Sequence, residues 1–304
     1  MLEFKNVEIE DKDIIEKYTY DKEYFMCSYC FGDIFMWRRK YDTKYCAKND
    51  FLYMTITDPT SGNITYLCPI GNGDIKKAIS EIKKDSLERG NEFRVIAVPE
   101  KVKEEIEEKM PDRYEFTENR DSEDYIYLAE NMIELKGKKL HSKRNFVNRF
   151  KKMYEGRWEY EAMNENNIGQ LFEFQLKWCR INGREEDNDF LEETCAISQA
   201  LRSAKKLGLK GGMIKLDGEV IAISLGSKAG QNMFVIHIEK AVSDIAGAYQ
   251  IINQQFAEHN CGDVMYIDRE EDLGIEGLRK AKLSYYPERM GINFMMKEAE
   301  NAKI

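Results

Sequence analysis

Histidine, proline and long apolar runs are scarce in this sequence, and each absence removes a class of protein. The 304 residues include three histidines and five prolines. A histidine-rich metal centre and a proline-rich linker are therefore not expected. No apolar stretch approaches the roughly 20 residues that a membrane-spanning helix needs. The first residues, MLEFKNVEIEDKD, lack the apolar core of a secretory signal. We expect a cytoplasmic protein.

Disulfide patterning is also missing. The seven cysteines are an odd number scattered along a long chain, which favours reduced thiols over a disulfide framework. Cys27 and Cys30 form a single CxxC with no second pair and no histidine pair near it. We interpret them as cysteines on or near a helix, and we expect no metal site.

Charge is distributed unevenly. The net charge is −9, which argues against a general nucleic-acid-binding protein. Residues 136–157, KGKKLHSKRNFVNRFKKMYEGR, carry nine Lys or Arg and one acid. This basic island predicts a docking place for an anionic partner. A solvated helix face is the simpler alternative for most of its charges.

The order of predicted elements is the same in both halves of the chain. Each half runs through helices, a three-stranded meander, a helix, a strand and a further helix. This order resembles an acetyltransferase-like (GNAT) fold used twice. We predict an α+β protein in which each module has a mixed, mostly antiparallel sheet flanked by helices. The modules are predicted at 1–130 and 131–304, with the active cleft in the second.

The basic island contains an amphipathic helix with one misplaced charge. At 100° per residue, the side that carries Leu140, Val147 and Phe150 also carries Lys143. An unpaired ammonium is costly to bury, so Lys143 must snorkel, pair or face a cleft. The functional interpretation is that Lys143 binds an anion in a substrate channel, with Arg144 beside it.

A strand near 231–240 offers a candidate general base. Strict alternation places His237 and Glu239 on one face of this strand and Lys240 on the other. A histidine and an acid at a strand end suit proton transfer, with the lysine as an anion contact. A hydrogen-bonded core histidine is the alternative for His237.

The helix that follows this strand begins near Gly247. A helix N-terminus with small residues can bind an anion through its free N–H groups. Coenzyme A pyrophosphate binds in this way in acetyltransferase folds, at a QxxGxG/A-type turn. Only Gly247-Ala248 is present here. Acyl-CoA is therefore the alternative cofactor, and no cofactor is required.

Residues 269–287, REEDLGIEGLRKAKLSYYP, place two glycines before a short basic helix. On that helix, Leu278, Ala281 and Tyr285 form one stripe and Arg279, Lys282 and Tyr286 form another. We predict that Arg279 and Lys282 contact an anion and that Tyr285 donates a proton. Gly274 and Gly277 are expected to permit the tight turn before the helix.

Four segments carry a family resemblance. They are LKGKKLHSKRN (135–145), HIEKA (237–241), GAYQIIN (247–253) and REEDLGIEGLRKAKLSYYP (269–287). Together they resemble the family named for the C-terminal domain of phosphatidylglycerol lysyltransferase, and more distantly the Fem-type aminoacyltransferases. The resemblance adds Tyr249 and Arg269 to the predicted substrate-binding residues. Asp268 stands where the family usually has asparagine before the Arg-Glu pair.

The resemblance implies transfer of an aminoacyl group from aminoacyl-tRNA to an amine or hydroxyl. The acceptor end of the tRNA would bind the basic island, and the acceptor would be a small molecule, a peptide or a lipid headgroup. Such acyl transfer needs a base and oxyanion donors but no metal. A coenzyme A-dependent N-acetyltransferase and a non-catalytic anion-binding protein remain the alternatives.

Overall fold

The computed structural model describes residues 1–20, 22–184 and 187–300. Its strands are β1 (Lys5–Asn6), β2 (Lys44–Lys48), β3 (Phe51–Thr57), β4 (Ile64–Leu67), β5 (Ile70–Gly71), β6 (Arg94–Pro99), β7 (Tyr114–Glu118), β8 (Asp124–Leu128), β9 (Trp158–Ala162), β10 (Lys210–Leu216), β11 (Glu219–Lys228), β12 (Met233–Ala241), β13 (Tyr266–Asp268), β14 (Arg289–Gly291) and β15 (Asn293–Glu298). Its α-helices are α1 (Lys12–Thr19), α2 (Phe31–Trp37), α3 (Ile75–Glu88), α4 (Glu100–Lys109), α5 (Ala129–Glu134), α6 (His141–Met153), α7 (Ile168–Ile181), α8 (Asn188–Arg202), α9 (Ala204–Leu207), α10 (Ala248–Asn260) and α11 (Glu276–Leu283).

Two mixed sheets organise the chain. The first has the order β1-β2-β3-β4-β6-β15-β7, with β5 paired to β3. The second has the order β14-β8-β13-β12-β11-β10-β9. One neighbouring pair in each sheet is parallel, β4 with β6 and β12 with β13, and the other pairs are antiparallel. The predicted α+β class with mostly antiparallel sheets is confirmed.

The strands do not divide at residue 130. Strand β8 precedes that position but lies in the second sheet, between β13 and β14. Strand β15 comes near the end of the chain but lies in the first sheet, between β6 and β7. The predicted boundaries 1–130 and 131–304 therefore do not describe the sheets. Local sequence signals identify a strand but not its partner, which is set by contacts distant in sequence.

A shared apolar core joins the two sheets. One buried cluster includes Phe35 of α2 together with Phe174 of α7, Ile197 of α8 and Leu225 of β11. Helix α2 therefore packs against elements of the second sheet. A second cluster lies on the other face of that sheet, where α5, α6 and α10 pack. The second sheet is thus covered on both faces.

Local chemistry accounts for several element boundaries. Asp74 caps α3 by accepting a hydrogen bond from the N–H of Lys76 at 3.0 Å. Asp217 and Gly218 join β10 to β11 with φ values of 51° and 84°, the left-handed pair that a two-residue hairpin turn requires. No helix in the described residues is long and apolar enough to cross a membrane.

Candidate functional site

Pairing between β12 and β13 stops early and leaves a gap in the second sheet. The parallel register joins Met233–Val235 to Tyr266–Asp268 and goes no further. Strand β12 continues to Ala241, while the chain after Asp268 follows β8, where the N–H of Arg269 donates to Tyr125 at 3.0 Å. Beyond Val235 and Asp268, side chains rather than backbone hydrogen bonds connect β12 to the segment after β13. We call this unpaired space between the two segments the gap.

A β-bulge separates His237 from Glu239. In the register with β11, Ile236 pairs with Gly226 and Ile238 with Leu225, so His237 is the extra residue. The bulge turns Glu239 towards α10, where it meets Asn253, and leaves His237 on the face covered by α2. The prediction that His237 and Glu239 share a face is wrong, because strict alternation cannot anticipate a bulge.

On the α10 face, Glu239 and Arg269 bridge the gap. Arg269 donates to Oε1 of Glu239 at 2.8 Å, and Asn253 of α10 donates to Oε2 at 2.7 Å. Both oxygens of Glu239 are thereby engaged. The Nη1 of Arg269 is buried and has no hydrogen-bond partner among the described residues. The group that remains available to a ligand is therefore an N–H donor of Arg269, and not a carboxylate oxygen of Glu239.

Lys143 and Tyr285 complete this arrangement. The Nζ of Lys143 lies 4.3 Å from the centre of the Tyr285 ring, and the Arg269 guanidinium lies 5.0 Å from that centre. Lys143 also donates to Ser284 at 2.6 Å. Partial burial and then the charge of Arg269 lower the pKa of Lys143, while burial raises the pKa of Tyr285. Two cations face one carboxylate here, which suits an anionic ligand.

His237 is hydrogen-bonded at both ring nitrogens. Its Nδ1 lies 2.8 Å from Oε1 of Glu270, and its Nε2 lies 2.8 Å from Oγ of Ser227. Helix α2 closes over this pair at Gly32, where an added Cβ would lie 2.3 Å from the Ser227 Oγ. This is the arrangement of a hydrogen-bonded core histidine, which was the alternative to a general base.

Carboxylates gather around His237 on the α2 face. This acidic group consists of Asp33, Asp124, Asp268, Glu270 and Glu271. Burial, reinforced by the neighbouring carboxylates, raises the pKa of Glu270 and of Asp124 well above their ordinary values. Sequence analysis missed the group because its members come from three distant segments. The φ of 59° at Glu270 also turns consecutive side chains in a way that no periodicity predicts.

The predicted anion contacts Arg279 and Lys282 instead hold the loop 269–275. Arg279 makes two hydrogen bonds of 2.8 Å to the buried Asp272. This pairing raises the pKa of Arg279 and lowers that of Asp272. The Nζ of Lys282 donates to the carbonyls of Arg269, Glu270 and Glu271 at 2.5, 3.0 and 2.5 Å. Neither cation joins Lys143 and Arg269 at the gap.

Helix α11 packs through its polar residues. Lys282 is 6% exposed, whereas Leu278 is 36% and Leu283 is 45% exposed. In the predicted basic stripe, Lys282 is thus buried, because its ammonium donates to the loop carbonyls. In the predicted apolar stripe, Leu278 is exposed. Gly274 has a φ of 73°, as its turn requires. Gly277 is helical with open space around its Cα, so the turn does not require it.

Three other predicted residues make no hydrogen bond with Arg269 or Glu239 among the described residues, although Tyr249 lies near Glu239. Lys240 forms a salt bridge with Glu193 on the α8 side and sits 4.1 Å from the Trp178 ring. Arg144 donates to the carbonyl of Leu135 at 2.5 Å. Tyr249 packs at the start of α10, and burial raises its pKa. The structure therefore brings together Glu239, Arg269, Tyr285 and Lys143 from the predicted set.

The basic island has both a buried and an exposed side. Val147 and Phe150 are buried as predicted, whereas Phe146 is 42% and Met153 is 49% exposed. The exposed cations of the island include Lys138, Lys139, Arg149 and Lys152. Within residues 1–20, 22–184 and 187–300, none of these four forms a salt bridge.

The N-terminus of α10 is covered by α6. A Cβ at Gly247 would lie 3.1 Å from the carbonyl oxygen of Phe146 and 3.2 Å from Cβ of Phe150. A pyrophosphate would need this space to reach the first N–H groups of α10. A separate open cavity of about 770 Å³ lies between α1 and the end of α10, lined by residues such as Lys12, Lys228 and His259.

A family model described as "Phosphatidylglycerol lysyltransferase, C-terminal" matches residues 23–296. The chain belongs to this family. A curated relative from Mycoplasmoides gallisepticum, described as an uncharacterized protein, is 29% identical over 182 residues. That match covers 58% of this chain and 56% of the relative, so it spans little more than half the relative's length.

Solved structures extend the similarity. A conserved protein of unknown function from Bacteroides thetaiotaomicron superposes with a TM-score of 0.92 at 35% identity, covering 97% of this chain and 99% of the other. L-PGS from Bacillus licheniformis superposes with a TM-score of 0.63 at 15% identity, covering 97% and 93%. FemX superposes with a TM-score of 0.59 at 8% identity, covering 97% of both chains. The last two likenesses concern the fold alone.

Proposed function

We propose that the chain transfers an aminoacyl group from aminoacyl-tRNA to an amine or hydroxyl acceptor. Membership in the lysyltransferase C-terminal family supports this function, and so does the fold shared with FemX. Family and fold do not choose the reaction by themselves.

The observation that carries the proposal is the pair of cations at the gap. Arg269 and Lys143 both lie against the ring of Tyr285, and the Nη1 of Arg269 lacks a partner among the described residues. Buried donors that are already in place stabilise the charge that develops on an oxygen during acyl transfer. Arg269 is therefore the proposed oxyanion or phosphate contact, Lys143 is the second cation, and Glu239 orients Arg269.

The roles of the remaining residues follow from their contacts. The Tyr285 hydroxyl is the proposed proton donor to the leaving group, since its ring already lies against both cations. His237 and Glu239 are fully hydrogen-bonded, so we assign them positioning roles rather than that of the base.

The surface around the gap favours an RNA-linked donor. Helix α6 supplies Lys143, and α6 with the loop before it displays the exposed cations of the basic island that form no salt bridge among the described residues. A phosphate backbone lying along α6 would bring an RNA end to the gap, because such backbones follow lines of Lys and Arg. The same helix covers the start of α10, where coenzyme A would place its pyrophosphate. Aminoacyl-tRNA is therefore favoured over acyl-CoA.

A transfer assay with two donors tests the proposal. The full chain is incubated with tRNA carrying labelled amino acids, or with labelled acetyl-CoA. Each donor is offered amines, peptides and vesicles containing phosphatidylglycerol as acceptors. We expect label to move from tRNA to one acceptor class, and we expect acetyl-CoA neither to donate nor to raise the melting temperature.

Two results would overturn the proposal. Transfer from acetyl-CoA alone would make the chain an N-acetyltransferase. Tight binding of tRNA with no transfer to any acceptor class, and no faster hydrolysis of the aminoacyl ester, would make it a non-catalytic anion-binding protein.

A further inference from the structure

Cys27 lies among carboxylates that come from distant parts of the chain. The ligand atoms of Cys27, Asp124 and Glu271 all lie within 4.8 Å of one another. Cys27 also forms a second group of this kind with Asp33 and Glu270. The sulfur is thus the shared member of two potential ligand sets. Sequence spacing could not reveal them, because the ligands are separated by up to 244 residues.

Two buried carboxylate oxygens in this region have no partner. Among the described residues, Oδ1 of Asp124 and Oδ2 of Asp268 accept no hydrogen bond. The two residues are 1% and 0% exposed. Buried carboxylates are normally hydrogen-bonded, paired with a cation or bound to a metal. These oxygens therefore indicate a missing positive group.

The cations that the structure describes here do not fill that role. The acidic group contains five carboxylates, and Lys282 is the nearby ammonium. Its three protons are used by three backbone carbonyls rather than by carboxylates. The ring of His237 reaches one carboxylate, that of Glu270. Carboxyl groups at this burial either keep their protons or gain a cation that lets them ionise.

We propose that Cys27, Asp124 and Glu271 bind one zinc ion. The Sγ of Cys27 lies 3.4 Å from Oε2 of Glu271. In a tetrahedral zinc site with bonds of about 2.3 Å to sulfur and about 2.1 Å to oxygen, these two atoms are roughly 3.6 Å apart. The sulfur and this oxygen therefore already have the spacing of a zinc site, and a carboxylate oxygen of Asp124 lies within 4.8 Å of both. The Cys27 thiol loses its proton to solvent when the metal binds.

The ligand chemistry selects zinc over the hard cations. A thiolate suits zinc, whereas magnesium and calcium take oxygen ligands. Three protein ligands leave a fourth position for water. The site joins the segment before α2 to the loop after β13, so the metal would fasten the first half of the chain to the second. This inference does not rest on the proposed aminoacyl transfer.

Zinc binding is tested on the full chain carrying Cys195→Ser, because Cys195 is the exposed cysteine among the described residues. Calorimetric titration and elemental analysis are expected to give one zinc per chain and a higher melting temperature with zinc. Magnesium and calcium are expected to produce neither effect. Asp124→Asn and Glu271→Gln are expected to weaken zinc binding at least about tenfold, and Cys27→Ser more so.

The amide variants also separate loss of metal from loss of fold. Each keeps the shape of its side chain and stays neutral at this burial, so each is expected to melt no lower than the parent in the absence of zinc. Cys261→Ser, a buried thiol elsewhere, and Glu81→Gln, a carboxylate paired with Lys48, are matched controls that should bind zinc as the parent does.

Two outcomes would overturn the inference. The first is a parent protein that takes up no zinc at micromolar concentration after metal-free preparation. The second is unchanged zinc affinity in both amide variants and in Cys27→Ser, since the metal would then bind elsewhere on the chain.

Discussion

Arg269 and Glu270 are neighbours in the chain, yet their side chains reach opposite faces of the second sheet. Arg269 meets Glu239 on the α10 face, and Glu270 meets His237 on the α2 face. The φ of 59° at Glu270 accompanies this change of direction. A non-glycine residue held in this conformation is strained, and such strain concentrates at functional sites. The gap therefore has a cationic side and an acidic side, supplied by consecutive residues.

Replacing Arg269 should impair transfer more than folding. Arg269→Lys keeps the charge but loses the fork of donors, including Nη1, which has no partner among the described residues. A lost charge-assisted hydrogen bond costs about 1.5–3 kcal/mol, so kcat/KM for aminoacyl transfer should fall roughly 10- to 150-fold. Steady-state transfer from labelled aminoacyl-tRNA measures the effect.

A matched control is available in the first sheet's half of the chain. Arg89 pairs with the buried Asp85 at 2.7 Å, far from the gap. Arg89→Lys should lower the melting temperature while leaving kcat/KM of the folded protein unchanged. Equal kcat/KM in Arg269→Lys and the parent would remove Arg269 from the proposed chemistry.

As the pH rises, Lys143 should lose its charge, and with it its affinity for an anion, at a lower pH than an ordinary lysine does. Burial and the neighbouring Arg269 lower the pKa of Lys143. The ammonium is present below this lowered pKa and is lost as the pH rises through it. Affinity for a short RNA should therefore decline on the alkaline side. Lys143→Arg stays charged throughout, so its decline should move to higher pH, measured as Kd between pH 7 and about 10.

Superimposable pH profiles for the parent and Lys143→Arg would mean that the charge at 143 does not contact the RNA. Lys143→Gln provides the uncharged reference, because it should bind weakly at every pH and show no alkaline decline of its own.

The contact between α2 and the second sheet should be sensitive to one methyl group. In Gly32→Ala, the new Cβ would lie 2.3 Å from the Ser227 Oγ and 2.8 Å from the His237 Nε2. Overpacking of this kind costs about 1–3 kcal/mol. In Gly169→Ala on α7, no atom lies within 4 Å of the new Cβ, and a gain of up to about 1 kcal/mol is expected. Urea denaturation measures both changes, and a neutral Gly32→Ala would show that α2 is not packed this tightly.

How much of the site could be predicted depended on whether its signal was local. Lys143 stood out because a period of 3.6 placed it in an apolar arc, and it does face other side chains at the gap. The Asp217-Gly218 pair is likewise a local signal for a two-residue hairpin, and both residues have the positive φ values that such a turn needs. Both signals arise within a few residues of the chain and need no partner.

Non-local features escaped prediction. The bulge at His237 depends on the register with β11, and the exchange of β8 and β15 between sheets depends on pairing across the whole chain. The buried Lys282 on an otherwise exposed face of α11 depends on three carbonyls of a strained loop. Periodicity describes which face of an element is apolar, but not which polar group elsewhere will satisfy a buried charge.

The exposed cations of α6 and the loop before it should dominate the salt dependence of RNA binding. Replacing Lys138, Lys139, Arg149 and Lys152 by glutamine removes up to four phosphate contacts. Each lost contact lowers the slope of log K against log salt by about 0.7–0.9, so a fall of about 3 is expected if all four touch phosphate. Titration of tRNA at several salt concentrations measures the slope.

Glutamine at the exposed Lys76 and Lys77 of α3 removes charge outside the basic island and should leave the slope unchanged. Equal slopes for the two sets would place the RNA elsewhere, because counterion release depends on where the phosphates lie and not on net charge.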